Sequence, residues 1–155
     1  MDRRSLLRAG GAAGLLLALT ASALRAEEAK PLHRIALQVS SADPALMNLA
    51  LTNIVNIAKH YAGTGDSVAI DLTAFGPGYA MVRADTSPVR ARIAEIRQRY
   101  PFVRFSACQN ARRAMAEAEG KTPDAIPQIA EADDVPAGVV HLSELQEQGW
   151  SYLRP

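Results

Sequence analysis

The chain has 155 residues, and 17 lysines and arginines against 16 aspartates and glutamates give it a formal net charge of +1. This near-neutral balance lacks the clustered basic excess that nucleic-acid binding requires, so we expect no nucleic-acid partner. A single cysteine, Cys108, excludes an internal disulfide. That cysteine is therefore buried and inert, paired between chains, or used in chemistry.

The N-terminus has the pattern of an export signal. Arginines at positions 3, 4 and 8 precede a run rich in glycine and leucine from Ala9 to about Ala23, and small residues allow cleavage after Ala23 or Ala26. The run is too short and wrongly flanked for an ordinary membrane span. The stretch DRRSLLR resembles a twin-arginine signal, with an ordinary Sec signal or an uncleaved anchor as the alternatives.

We therefore divide the chain into a signal, residues 1–26, and a single α/β domain, residues 27–155, with the mature protein beginning at Leu24 or Glu27 in a bacterial periplasm. The domain has 13 basic and 15 acidic residues, and its 129 residues are enough for a substantial core. We expect no membrane span in this mature part.

Apolar strand-like segments then alternate with helical ones. Strands are predicted over 33–39, 67–75, 102–107, the end of 122–137, and 150–153, and helices over 44–61, 87–100, 110–119 and 138–149. This alternation predicts a three-layer, Rossmann-like α/β domain with a mostly parallel five-stranded sheet.

The first helix is apolar on more than one side. One stripe consists of Leu46, Leu49, Ala50, Ile54, Ile57 and Tyr61, and a second stripe consists of Met47, Leu51 and Val55. We expect the second stripe to pack on another subunit. The alternation of Val103, Phe105 and Ala107 with Arg104 and Ser106 also suggests a third strand that is incompletely enclosed, and the two observations together predict a homo-oligomer.

Three segments carry a family resemblance: FGPG, FSACQN and VPAGVVHLSELQEQGWSYLRP. Together they make residues 33–155 similar to the DsrE/DsrF-like proteins, small α/β domains of sulfur-relay systems, and most similar to an exported branch of them. The resemblance implies a Rossmann-like domain that forms homo-oligomers, often trimers or hexamers. It also implies a persulfide on a cysteine after a central strand, and Cys108 is the residue that matches.

The position of Cys108 agrees with a chemical role. It is predicted to lie at the carboxyl end of a parallel strand and the start of a helix, the edge where open α/β sheets bind ligands. Free N–H groups at a helix N-terminus stabilise a thiolate, which is the reactive form. A small buried cysteine that happens to end a strand is the alternative.

Other residues are candidates for a pocket around this cysteine. Gly76, Pro77 and Gly78 after the second strand either let a ligand approach the backbone or only form a turn. Asn53 on the first helix either bonds to a loop or subunit or lines the pocket. Asn110 and Arg112 follow the cysteine by two and four residues.

No cofactor is expected, because the chain has neither a GxGxxG motif nor a phosphate-binding loop. His33, His60 and His141 show no metal-ligand spacing, and we expect them to be surface or capping residues with no metal site. Trp150 and Tyr152 share one side of the last strand, as core or as interface.

Three functions remain open at this point. In the first, Cys108 takes up sulfane sulfur as a persulfide and passes it to a thiol-bearing partner protein. In the second, the domain is a non-enzymatic module that binds a small molecule or a partner, and Cys108 is structural. In the third, the single thiol is a reversibly oxidised redox sensor.

Overall fold

The computed structural model describes residues 32–155, so the predicted signal lies outside the described residues. In chain order the elements are β1 (Leu32–Val39), α1 (Pro44–Thr64), β2 (Ser67–Ala74), a 3-10 helix (Gly76–Val82), α2 (Arg90–Arg99), β3 (Val103–Cys108), α3 (Gln109–Ala118), a second 3-10 helix (Pro123–Ala125), β4 (Ala132–Val135), α4 (Gly138–Glu147) and β5 (Ser151–Leu153). Within residues 32–155, no helix has both the length and the apolar character needed to cross a bilayer.

The five strands form one sheet in the order β4-β3-β2-β1-β5, and every neighbouring pair is parallel. The predicted three-layer, Rossmann-like α/β fold is confirmed, with a sheet that is entirely parallel. Crossovers between parallel strands are right-handed. The three connections from β1 to β4 advance in one direction and place α1, α2 and α3 on one face, whereas the return from β4 to β5 places α4 on the other.

The two faces of the sheet are covered very differently. The face under α1, α2 and α3 holds the main core, whose largest fully buried side chains include Tyr79, Phe105, Leu37, Met47 and Ile54. The α4 face has only a small apolar cluster of Ala36, Leu142 and Leu145, against which Trp150 packs. Stability therefore comes mainly from the first face.

The bounds of α1 follow from its sequence. Asp43 accepts a hydrogen bond from the Ala45 N–H at 2.8 Å, Pro44 occupies the first turn, and Gly65 ends the helix in the left-handed conformation at φ 75°. The helix thus begins where it was predicted to begin and extends three residues beyond Tyr61.

The predicted division of this helix into a core stripe and an intersubunit stripe is wrong. Met47 and Leu51, assigned to the second stripe, are fully buried in the chain's own core, whereas Leu49 of the first stripe is 49% exposed. The sheet contacts the side of the helix that lies between the two stripes, and this rotation decides which side chains are covered.

The expected opening in β3 is also absent. Ser106, whose polar side chain suggested an incompletely enclosed strand, is fully buried, because it donates a hydrogen bond to Asp71 on the neighbouring strand at 2.8 Å. Arg104 of the same strand is exposed beside Asp133 of β4. The two features that predicted an oligomer are therefore both accounted for within one chain.

Trp150 and Tyr152 lie on the same side of the sheet, as expected, because Tyr152 pairs with Ala36 and Trp150 packs on the cluster that contains Ala36, but the two aromatic residues differ in exposure. Trp150 lies just before β5 and packs on the α4 side, whereas Tyr152 within β5 is 39% exposed. Leu153 is 43% exposed beside it at the edge of the sheet. Tyr152 is thus available for contact with another molecule, whereas Trp150 belongs mainly to the core.

A close backbone approach fixes the 3-10 helix after β2. A Cβ atom on Gly78 would lie 2.1 Å from the carbonyl oxygen of Val39 at the end of β1. Only glycine therefore lets this segment pass across the end of β1. The contact sets the position of Gly76 and Pro77 as well, because they lie in the same turn.

We expect Gly78→Ala to lower the free energy of unfolding by about 2–3 kcal/mol, because the atom that opposes the new methyl group is backbone and cannot rotate away. Gly63→Ala in α1 is the matched control. Nothing lies within 4 Å of its added Cβ, and alanine is favoured over glycine in a helix by about 0.5–1 kcal/mol. Denaturant unfolding of both variants measures the two effects. Equal midpoints for Gly78→Ala and the wild type would contradict the close approach.

Candidate functional site

Cys108 joins a strand to a helix. It is the last residue of β3 and the N-cap of α3, one residue further along the strand than the sequence indicated. Its Sγ atom accepts a hydrogen bond from the Ala111 N–H at 3.4 Å, in the role that a serine or aspartate oxygen usually fills. The thiol is thus held at the N-terminus of α3.

A second helix N-terminus meets the same sulfur. The N–H of Gly138, the first residue of α4, lies 3.2 Å from Sγ of Cys108. The missing side chain makes this contact possible, because a Cβ at position 138 would lie 2.7 Å from Cβ of Phe75 and 3.2 Å from Cβ of Cys108. One N–H group from each of two helix N-termini therefore contacts the sulfur, and both donors can stabilise negative charge that develops there during a reaction.

The sulfur is enclosed. Cys108 exposes only 5% of its surface, and it is the one cysteine of the chain. Burial in apolar surroundings opposes the charged form of a thiol, whereas donated hydrogen bonds favour it. The site thus combines two fixed donors with restricted access.

A buried polar network lies beside the cysteine on the α4 face of the sheet. Asp71 of β2 is 1% exposed and accepts hydrogen bonds from Thr73 Oγ1 at 2.9 Å and from Ser106 Oγ at 2.8 Å. Nε2 of His141 on α4 lies 3.2 Å from the Oδ2 atom of Asp71 and 3.3 Å from Oγ of Ser106. The sequence assigned His141 to the surface or to a cap, but it contacts a buried carboxylate.

The network has the composition of a hydrolase triad but not its geometry. In such a triad the serine and the aspartate bind opposite nitrogens of the imidazole. Here both contact Nε2, and Ser106 is fully buried. A nucleophilic role for Ser106 is thereby ruled out.

Two surface depressions flank the cysteine. On the α3 side, an almost wholly apolar groove of about 370 Å³ is lined by Gly76, Pro77, Ala111, Ala114, Met115 and Ala118. On the α4 side, a recess of about 200 Å³ is lined by Pro136, Ala137, Val140, His141 and Glu144. Ala111 and the neighbour of Ala137, Gly138, are the two residues that donate to the sulfur, so the thiol lies between the two depressions.

The structure brings some of the predicted pocket residues to this edge. Gly76 and Pro77 line the apolar groove, and Gly78 is buried against the end of β1 behind them. Asn110 is exposed in the first turn of α3, where its side chain accepts a hydrogen bond from Arg113. These residues border the cysteine, and Gly78 and Asn110 also have structural partners.

Arg112 and Asn53 have other positions. The guanidinium of Arg112 donates two hydrogen bonds to the carbonyl oxygen of Ile126, at 3.0 and 2.8 Å, and thereby fixes the segment before β4. Asn53 is half-buried in the middle of α1, a helix that packs on the opposite face of the sheet from His141. It lies nine residues after Pro44, or about 14 Å along the helix from the carboxyl edge of the sheet.

A second polar cluster supports the segment between the 3-10 helix and β4. The Tyr79 hydroxyl donates to Oε1 of Gln128 at 2.7 Å, and burial raises the pKa of Tyr79 to about 12. Gln109 and Gln128 both donate to Oδ1 of Asp134, at 2.8 and 2.7 Å. Tyr79 therefore stays protonated at neutral pH and fixes the chain beside Cys108.

Sequence reasoning missed Asp71, His141 and Gly138. A signal was present for Asp71, since it is the only charged residue in the apolar run SVAIDLTAF. The approach of Gly138 to Cys108 depends on a contact between residues 30 positions apart, and the Asp71–His141 contact spans 70 positions. Within residues 32–155, no group of three or more histidine, cysteine, aspartate or glutamate side chains is placed to hold a metal ion.

Comparison with known proteins supports the fold. No family model and no curated protein matches the chain. The solved structure of a protein of unknown function, MTH1491 from Methanobacterium thermoautotrophicum, is similar with a TM-score of 0.65 and 28% sequence identity, over 79% of this chain and 99% of that chain. The similarity extends over nearly all of that protein, so the two share a domain architecture.

Arg83 lies at the end of the 3-10 helix and forms ionic contacts with two carboxylates. Its guanidinium donates to Asp85 at 2.9 and 2.8 Å and to Glu119 after α3, and Lys121 also contacts Glu119 at 2.6 Å. The hydrogen bonds from Arg83 lower the pKa of both carboxyls to about 2. The guanidinium thus links the 3-10 segment to the end of α3.

We expect these carboxyls to make folding acid-sensitive. Their pKa values of about 2 lie below their ordinary values of 3.8 and 4.5, so the stabilisation is complete above about pH 5 and is lost as pH falls towards 2. Glu119→Gln should flatten the dependence of unfolding free energy on pH between 5 and 2. Glu117→Gln is the control, because Glu117 is an exposed carboxylate in α3 two residues before Glu119, and denaturant titrations at several pH values compare them. A wild-type slope in Glu119→Gln would contradict this assignment.

Proposed function

We propose that the protein is a periplasmic sulfur carrier of the DsrE-like kind, in which Cys108 accepts sulfane sulfur as a persulfide and transfers it to the thiol of a partner protein. The observation that carries this proposal is the pair of backbone donors on one sulfur. Ala111 and Gly138 donate to Sγ of Cys108 from two helix N-termini, at 3.4 and 3.2 Å. The twin-arginine-like signal supports the export, and the resemblance of residues 33–155 supports the sulfur chemistry.

The reaction needs no oxidant. The Cys108 thiolate attacks the outer sulfur of a persulfide donor R–S–SH, a sulfur–sulfur bond forms, the bond within the donor breaks, and R–S⁻ leaves with the electron pair. A partner thiolate then attacks the outer sulfur of the Cys108 persulfide and regenerates the Cys108 thiolate. Both steps exchange one sulfur–sulfur bond for another, and negative charge resides on a sulfur throughout.

One observation favours a different function. Cys108 exposes only 5% of its surface, as a structural cysteine that caps α3 would. On that basis the domain would be a non-enzymatic module that binds a small molecule or a protein through the apolar groove between the 3-10 helix and α3. Thiol reactivity in the folded state separates this candidate from the carrier and from a redox sensor.

We expect the folded protein to alkylate at Cys108 with iodoacetamide at neutral pH. After incubation with thiosulfate or polysulfide, it should also gain about 32 Da, the mass of one sulfur atom. Cys108→Ser should abolish both signals and keep the fold, because the serine oxygen also caps α3. Cys108→Ala loses that cap and should unfold with about 1 kcal/mol less free energy. Mass spectrometry and denaturant unfolding are the measurements.

The outcomes separate the three functions. Alkylation only in denaturant shows that Cys108 is a structural residue, and the carrier proposal then fails. Ready alkylation without sulfur gain from either donor favours the redox sensor. Loss of fold in Cys108→Ser would contradict the capping role that the Ala111 N–H contact assigns to the sulfur.

We also propose that the mature chain forms a homo-oligomer. The resemblance implies it, and exposed apolar side chains on α4 and β5 offer a surface: Val139 at 65%, Val140 at 51%, Tyr152 at 39% and Leu153 at 43%. β5 is the edge strand beside β1, and its outer side is free to contact another chain in the described part of the protein. Apolar surface of this kind at a sheet edge is typical of subunit contacts.

Light scattering on residues 27–155 should give a mass that is a multiple of the single chain at micromolar concentration. Leu153→Lys should reduce that mass, because a charged side chain at the edge of β5 is costly to bury. Leu49→Lys on the other face is the control, since Leu49 is similarly exposed at 49%. A monomeric wild type refutes the oligomer.

A further inference from the structure

The buried carboxylate of Asp71 needs an explanation that packing does not provide. Asp71 pairs across the sheet with Ala36 of β1 and lies on the α4 face, where small apolar residues would fill the space. Burying a charge costs several kcal/mol unless hydrogen bonds compensate, and a well-packed apolar residue is often at least as stable. The three groups that satisfy Asp71, including His141 from α4, therefore indicate a role beyond folding.

The contacts of the imidazole define which nitrogen is free. Nε2 of His141 lies 3.2 Å from Oδ2 of Asp71, so a proton on Nε2 is held by the carboxylate and the lone pair of the neutral ring resides on Nδ1. Within residues 32–155, Nδ1 makes no hydrogen bond, and His141 lines the recess together with Ala137 and Glu144. An aspartate that fixes the tautomer of a histidine prepares the other nitrogen to accept a proton.

Two neighbouring residues connect the imidazole to the sulfur. Ser106, which contacts His141, and Cys108 are two residues apart on β3 and point to the same face, with about 7 Å between their Cα atoms. From the other side, Gly138 contacts the sulfur and His141 follows three residues later on the same helix. A water molecule or the sulfur atoms of a donor can therefore connect the two groups along this edge of the sheet.

We propose that His141, oriented by Asp71, is the proton-transfer partner of Cys108. This inference rests on the proposed carrier function and specifies how its site handles protons. The Cys108 proton passes to Nδ1 of His141, which leaves a thiolate and an imidazolium whose Nε2–H stays on Asp71. After the thiolate takes the outer sulfur of R–S–SH, the proton on Nδ1 passes to the leaving R–S⁻ and gives R–SH. The ring is then neutral again.

Other charges surround this pair. Besides His141, the ionisable or charged side chains on the α4 face and on α4 itself are Arg34 of β1, Asp71 of β2, Arg104 of β3, Asp133 of β4, Tyr152 of β5, and Glu144 and Glu147 of α4. Asp71 is the one that contacts the ring, and Arg104 is held by Asp133 at 3.5 Å.

The first test compares pH–rate profiles. We expect His141→Gln to slow alkylation of Cys108 by iodoacetamide, and sulfur uptake from glutathione persulfide, about tenfold or more at pH 7. The two proteins should converge at high pH, where the thiolate forms without a base. Glutamine keeps a donor for Asp71, so α4 stays in place, and a merely structural role would slow the reaction equally at every pH.

His60→Gln is the matched control, because His60 is exposed on α1, on the opposite face of the sheet. Its profile should equal that of the wild type. A wild-type profile in folded His141→Gln, or an equal slowing at all pH values, overturns the proposal for His141. If the wild type never gains sulfur but His141→Gln still shifts the alkylation profile, the carrier function fails while the proton-transfer pair stands.

A second measurement does not depend on the folding of the His141 variant. Two groups that share a proton shift each other's titration reciprocally. The imidazole of His141, followed by NMR across pH 5 to 9, should therefore titrate differently in the wild type and in Cys108→Ser. Identical titration curves in the two proteins would overturn the proposal even if His141→Gln does not fold.

Discussion

The path of α4 is the constraint on which the site depends. β4 lies at one edge of the sheet and β5 at the other, so the helix that joins them must begin beside β3 and cross the sheet. Its first residue meets the ends of β2 and β3 so closely that only glycine fits at position 138. The same path places the Gly138 N–H on the sulfur of Cys108 and, one turn later, His141 above Asp71. A side chain at 138 would displace all of these contacts together.

The two faces of the sheet have different contents: one holds the apolar core, and the other holds a buried polar network. The face under α1, α2 and α3 is filled with large apolar side chains, and their burial provides most of the free energy of folding. The α4 face instead encloses Asp71, Thr73 and Ser106, all nearly or fully buried. Such a network costs stability unless every member is satisfied, and here the carboxylate accepts from three side chains. The free energy gained by burying the apolar core on one face therefore offsets the cost of burying the polar network on the other.

Local sequence patterns predicted the fold well because the signals for strands and helices are contained in short stretches of sequence. Runs of apolar residues and their spacing placed all five strands and the four main helices, and the right-handed crossover rule restricts the possible arrangements. The position of Cys108 at a strand end also followed from such patterns. The rotation of α1 about its axis did not follow from them, because two adjacent stripes were both apolar and packing against the sheet covers the side between them. Leu49 and Met47 consequently exchanged their expected environments.

Local sequence patterns could not predict which residues contact each other in the polar network and at Gly138. Asp71 stood in a strand that looked continuously apolar, and nothing near it in sequence identified its partner 70 positions away. His141 looked like a surface residue because the face that α4 presents to the sheet depends on where α4 crosses. Gly138 looked like a helix start, which it is, but its contact with Cys108 needed the order of the strands. The path of α4 across the sheet determines the contact that each missed residue makes.

The two donors on Sγ also bear on what the proposed reaction requires of the protein. Desolvation disfavours a buried anion, but fixed N–H groups at 3.2 and 3.4 Å stabilise negative charge without any reorganisation during the reaction. In a persulfide the inner sulfur is Sγ itself, so it keeps its place between Ala111 and Gly138 while the outer sulfur extends away. The free and loaded states therefore need the same helix positions, and the rearrangement between them is confined to the few atoms that cover a 5% exposed thiol.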